Sequence, residues 1–81
     1  MLNSVLIEGV VLSIPERNES ESVVFKVRHD KTLTVKATAT GILGSDCRRY
    51  LKKGMKVRLI GKLVTDGLFV TYMEFNCREI A

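Results

Sequence analysis

The chain has 81 residues, enough for one domain, and a fold of this size buries roughly 60% of the surface its unfolded chain exposes, leaving little volume for an elaborate active-site cleft. Hydrophobic residues make up 46% and charged residues 27%, a globular balance that excludes a disordered chain, and no apolar run approaches the ~18 residues of a membrane span. The net charge of +4 favours an anionic partner such as nucleic acid.

The opening "MLNSVLIEG" has no basic n-region, so a cytoplasmic location is expected. Residues 4–14 read as a strand that is apolar on both faces, with Val5, Ile7 and Val11 on one and Leu6, Val10 and Leu12 on the other. One face belongs to the core and the other suits a second subunit; Gly9 between them suggests a bend or bulge. Residues 15–22 form a polar loop opened by Pro15. Residues 23–29 alternate, with Val23, Phe25 and Val27 inward and Val24, Lys26 and Arg28 outward. A tight turn at Asp30–Lys31 leads to a strand over 32–40, with Leu33, Val35, Ala37 and Ala39 inward and Thr32, Thr34, Lys36, Thr38 and Thr40 outward.

The glycines of "GILG" at 41–44 interrupt that pattern. Ser45 then fits an N-cap, Asp46 a first helical turn, and Gly54 the C′ position, which predicts a short helix over 46–52. A strand over 56–64 follows. "DG" at 66–67 signals a two-residue hairpin, and a last strand is expected over 68–79. This order of three strands, a short helix and two strands is that of the OB-fold, an all-β, five-stranded Greek-key barrel.

Two cysteines, Cys47 and Cys77, are expected as free thiols. With His29 they are the only soft metal ligands, at no paired spacing, so no metal and no cofactor is expected. "GILG" lacks the Lys-Ser/Thr of a phosphate-binding loop, and no carboxylate pair or Ser-His-Asp set stands out, so the chain does not read as an enzyme.

The cationic and hydroxyl side chains concentrate on the outward positions of strands two, three and four: Lys26 and Arg28, then Thr34, Lys36, Thr38 and Thr40, then Lys56, Arg58 and Lys62. In an OB-fold the face of strands two and three takes oligonucleotides; lysine and arginine contact phosphates there, and threonine hydroxyls bond phosphates or base edges. Lys53, and Tyr50 at the helix end, complete the candidate nucleic-acid-binding set. Outward charge also serves solubility, but few acids interleave with this set; they sit mainly at Glu16, Glu19 and Glu21 and at Glu74 and Glu79. Aromatic platforms are scarce. There is no Trp; Phe25 faces inward, Phe69 and Phe75 share the parity of Met73 and read as core, and Tyr72 faces the other way.

Two segments carry a family resemblance. "NSVLIEGVVLSIPE" at 3–16 resembles the opening of bacterial single-stranded DNA-binding proteins through Asn3, Val5, Gly9, Leu12, Pro15 and Glu16. "GILGSDCRRYLKKGMKVRLIGKL" at 41–63 resembles that family's helix and fourth strand through Gly41, Leu43, Tyr50, Leu51, Lys53, Gly54, Val57, Gly61 and Leu63. The resemblance implies an OB-fold that binds single-stranded DNA in replication, recombination or repair. It also implies a homo-oligomer, dimer or tetramer, in which Val5, Leu6 and Ile7 are shielded as first strands pair between subunits, with replication proteins as further partners and no membrane. Aligned on Tyr50, Lys36 falls at a basic ligand contact. Thr40 and Thr34, however, stand where the family has a stacking Phe and a stacking Trp. The two long family loops shrink to "DKT" and "DG", and no acidic tail precedes Ile80–Ala81. These departures resemble primosomal replication protein B, a smaller, tail-less OB-fold cousin, and imply binding more by charge than by stacking. An OB-fold adaptor for other proteins and an RNA-binding OB domain stay open as alternatives.

Overall fold

The computed structural model describes residues 3–13, 16–17 and 22–78, with the backbone alone at 16–17. Pro15, Glu19, Glu21, Glu79 and the Ile80–Ala81 end lie outside the described residues. Among the described residues seven elements follow the order β1 (Val5–Val11), β2 (Glu16–Arg17), β3 (Val23–Arg28), β4 (Thr34–Ala39), α1 (Gly41–Tyr50), β5 (Lys56–Val64) and β6 (Gly67–Glu74). The strands run β1-β5-β6-β4-β3, and β1 pairs again with β3, so this five-stranded sheet closes on itself. Every neighbour is antiparallel except β4 and β6, which pair in parallel, and the two-residue β2 extends the outer edge of β3. With one helix between β4 and β5, this is the OB-fold.

Strand alternation fills the barrel. Phe25, Val23, Val27, Ala37, Ala39, Val57, Leu59, Leu68 and Val11 point inward and are essentially sealed from solvent. Truncating a ring such as Phe25 to Ala in a core of this kind costs about 3–5 kcal/mol. On β1, Ile7, Gly9 and Val11 face in, and Leu6 and Val10 face out, as the two apolar faces of the sequence require.

Gly9 is not a bulge. Its register with β5 runs unbroken from Val5 to Val10, and the same stretch meets β3 at Val10↔Arg28. A Cβ at Gly9 would strike the Arg28 carbonyl and lie 2.8 Å from Val27 Cγ1, so glycine is what lets β1 close the barrel. The bulge lies instead on the β5–β6 ladder, where the register shifts between Ile60 and Gly61.

The strand expected over 32–40 starts only at Thr34. Asp30 Oδ1 accepts from the Thr32 N–H (2.7 Å), the Thr32 hydroxyl (2.9 Å) and the Leu33 N–H (2.8 Å), and this turn takes Thr32 and Leu33 out of the ladder. Leu33, expected inward, is therefore 45% exposed.

The helix corrects the sequence reading most. It spans Gly41–Tyr50 and includes "GILG"; Thr40 rather than Ser45 is the N-cap, and its side chain makes no capping bond. Leu43, Cys47 and Leu51 recur at i, i+4 and i+8 and pack on the core, and that stripe carries the helix back through the two glycines. The helix plugs one end of the barrel against β3, β4 and β6. Arg48 and Arg49 in its last turn complement the helix dipole. Gly54 (φ 88°) is not the C′ residue: Leu51 caps the helix, and Gly54 sits in the following turn with its N–H on the Val11 carbonyl (2.8 Å). The hairpin turn is Thr65–Asp66, one residue before the expected pair, because Gly67 already pairs with Val64. Strand β6 ends at Glu74, short of the expected end.

Candidate nucleic-acid interface

Cross-strand rows on the outer surface sort the candidate residues. Lys26 on β3 stands directly opposite Lys36 on β4, and Arg28 stands opposite Thr34. The Lys26 N–H donates to Ser13 Oγ (3.2 Å) and its carbonyl accepts from the Leu12 N–H (2.8 Å), so both groups point away from β4. Lys26 and Lys36 therefore form a non-hydrogen-bonded pair, the narrow kind in which Cα atoms lie about 4.5 Å apart and side chains are closest. Like charges directly opposed in this way are destabilising. Neither β3 nor β4 contains a carboxylate to relieve the pair.

The next row along the sheet is Val24, Thr38, Phe69 and Lys62, across β3, β4, β6 and β5. Lys62 is exposed and Thr38 half-buried. Phe69 is 37% exposed between them, which overturns the core assignment made from parity with Met73. The physical reason is the bulge. The ladder pairs Ile60 with Tyr72 but Gly61 with Val70, so Thr71 is an extra residue on β6. Strict alternation fails across it, and Met73 faces in while Phe69 and Tyr72 both face out. Phe75 does pack against the core, as expected.

Arg28, two residues beyond Lys26 on the same face of β3, also shares a row with Val10 and Lys56. The remaining candidates lie elsewhere on the barrel. Arg58 lies in the row Glu8, Arg58, Glu74 and bonds both acids, with its guanidinium nitrogens 3.3 Å from Glu8 Oε2 and 3.1 Å from Glu74 Oε1. The Glu8 hydrogen bond and charge, with Glu74 adding to them, hold its pKa above the ordinary guanidinium value. Its charge is satisfied within the protein. Tyr50 sits at the helix end, edge-on to Phe75 with ring centroids 6.2 Å apart and the Arg49 guanidinium 5.9 Å from its own ring. Lys53 is exposed on the next turn, and Thr40 is the exposed N-cap residue, off the sheet.

Alternation also divides the trio expected at a subunit interface. Ile7 is 8% exposed and belongs to the barrel core, Val5 packs partly against it, and Leu6 is 56% exposed. Leu6 lines up with Ile60 and Tyr72 in an outward apolar row.

The His29 Nδ1 donates to the Glu8 carbonyl (2.7 Å). Cys47 and Cys77 are free. Burial, with the Asp46 charge second, pushes the Cys47 thiol up to about 11. An open recess of about 300 Å³ is lined by Arg58, Glu74, Phe75, Cys77 and Arg78. Among the described residues no helix is long and apolar enough to cross a membrane.

Neither a family model nor a curated protein sequence matches the chain. Solved structures do. The SSB domain of a protein from Synechococcus sp. superposes with a TM-score of 0.76 at 16% identity, over 91% of this chain and 96% of that one. The fold is shared. A complex of TiaS with tRNA and ATP superposes with a TM-score of 0.78 at 24% identity, over 89% of this chain. A ZRD-deleted mutant of TiaS with agmatine does so at 0.78 and 23%, over 100% of this chain. This chain spans only 18% of the first TiaS chain and 24% of the second.

Proposed function

We propose that this protein is a non-enzymatic single-stranded DNA-binding module, held to its ligand mainly by charge and tolerant of sequence, acting in replication, recombination or repair. The observation that carries the reading is the opposed Lys26–Lys36 pair on a face without carboxylates on β3 and β4. Two like charges carried on directly opposed residues repel, an anion between them relieves that repulsion, and a nucleic-acid backbone supplies one at every step. Arg28 and Lys62 extend the charge to either side, and Thr34 and Thr38 place hydroxyls within the same surface. The shared fold with an SSB domain and the motif resemblance at 3–16 and 41–63 favour DNA as the ligand. The outward row of Leu6, Ile60 and Tyr72 supports self-association through β1 and its neighbours.

The test is fluorescence anisotropy of labelled oligo-dT at ~20 mM and ~150 mM salt, beside duplex DNA and oligo-U of equal length. Tighter binding of oligo-dT, with log K falling by about 0.7 per phosphate contacted for each decade of salt, supports the reading. Tighter binding of oligo-U makes RNA the ligand. No binding at low salt rejects a nucleic-acid function and leaves the basic face for a protein partner.

A further inference from the structure

We infer that Phe69 is a base-stacking platform, and that it, rather than the cationic wall around it, makes the surface selective for single strands. The inference rests on the nucleic-acid reading of that face and deepens it. A lysine meets a phosphate equally well on a duplex or on a single strand. A ring face meets a base only when that base has left its own stack, and such a contact is tolerant of sequence because every base has a π-face.

Phe69 is built for that contact in three respects. The bulge at Ile60–Gly61 turns its ring out of the barrel, while Leu68 and Val70 on either side fill the core. Its neighbours across the sheet are Thr38 and Lys62, a hydroxyl and an ammonium, so a base on the ring has its phosphates within reach of charge. Among the described residues the ring has no aromatic partner, in contrast to Tyr50, whose ring is engaged with Phe75. Gly61 lies so close beneath the Phe69 carbonyl that a Cβ there would strike it, so β5 passes tightly under the backbone from which the ring projects. From Lys36, one pleat repeat before Thr38 on β4, to Lys62, two strands away, is roughly 12 Å at ordinary sheet spacings, with Phe69 between them. The arrangement is a ring flanked by cations, as a stacked base flanked by its phosphates requires.

The experiment uses the full chain and three variants, Phe69→Ala, Phe69→Leu and Phe69→Trp, with folding checked by thermal melting. Leu keeps the aliphatic contacts of Phe69 while removing the ring, so it carries the test if Ala fails to fold. The expected result is that oligo-dT binding by Phe69→Ala weakens about 5- to 150-fold while duplex binding and the salt slope stay as in the parent. The chain has no Trp, so Phe69→Trp is a single reporter whose emission should be quenched as oligo-dT binds. Parent-like oligo-dT affinity in the Ala and Leu variants, with an unmoved Trp signal while anisotropy reports binding, overturns the role of Phe69 and leaves the DNA-binding function standing. A parent protein that binds neither oligo-dT nor duplex overturns both.

Discussion

Lys26 and Lys36 face each other across the narrow, non-hydrogen-bonded position of the β3–β4 ladder. That pairing sets stability against binding. Lys36→Thr should raise the stability of the free protein by up to about 1 kcal/mol, since it removes a like-charge pair and adds a good strand former. The same change should weaken oligo-dT binding and flatten the salt dependence by about 0.7 in log–log slope. Chemical denaturation and anisotropy on one preparation check both halves. A variant that is less stable, or that binds unchanged, removes the face from the mechanism.

Arg58 predicts the opposite pattern. Its guanidinium is spent on Glu8 and Glu74. Arg58→Gln should lower the melting temperature, because two carboxylates lose their cation, yet change low-salt oligo-dT affinity by less than about two-fold. Lys62→Gln, on the row with Phe69, should do the reverse. Equal losses of affinity in the two variants would extend the binding surface around the barrel to β1.

Gly61→Ala tests the bulge. A new Cβ would run into the Phe69 carbonyl and lie 3.0 Å from Leu68 Cγ, so β5 and β6 must part. The expected cost is about 1–3 kcal/mol, with weaker oligo-dT binding as Phe69 shifts. Gly54→Ala, where a Cβ would meet nothing within 4 Å, is the contrast: its φ of 88° strains the turn, but binding should survive.

The thiols should separate by reactivity and by pH. Cys77, partly exposed, should react with a disulfide reagent in the native protein, and Cys47 only on unfolding. The folded state holds the Cys47 proton up to about 11 against 9.0 for an ordinary thiol. The folded chain therefore binds more protons than the unfolded chain across that window. Stability is intact below pH 9 and falls by roughly 3 kcal/mol as pH rises through it. Denaturation midpoints at pH 8 and pH 10.5, with Cys47→Ala losing the difference between them, check the sign. Asp30 behaves conversely. The Thr32 and Leu33 bonds lower its pKa below the ordinary 3.8, so its contribution is complete above that value and disappears only in stronger acid.

Leu6→Glu should leave the barrel folded, because the side chain already projects outward, and should dissociate any oligomer built on the Leu6, Ile60 and Tyr72 row. Sedimentation of the parent at its monomer mass of 9.1 kDa at all concentrations would count against self-association.

The fold was legible in the sequence because a barrel strand repeats every two residues and its inward set must be apolar. Val23, Phe25 and Val27, and Ala37 with Ala39, announce their face without help from the rest of the chain. Where alternation misleads, a contact outside the period of two intervenes, distant at the helix and local at Leu33. The two glycines of "GILG" suggest a break, but Leu43, Cys47 and Leu51 pack as one helical stripe on a barrel formed by distant strands. Leu33 reads as core until Asp30 gathers the Thr32 and Leu33 amides into a turn.

The sequence by itself determined the architecture and the chemical character of the surface: the strand order, a short helix ahead of the last two strands, the lysines and threonines on outward positions and the scarcity of carboxylates among them. Only the tertiary structure decided which of those residues act together. Local alternation assigns a face but not a neighbour. Closing the sheet set Lys26 against Lys36, tied Arg58 to Glu8 and Glu74, and lined Arg28 up with Val10 and Lys56. A single extra residue on β6, invisible to a period of two, turned Phe69 from the core to the surface.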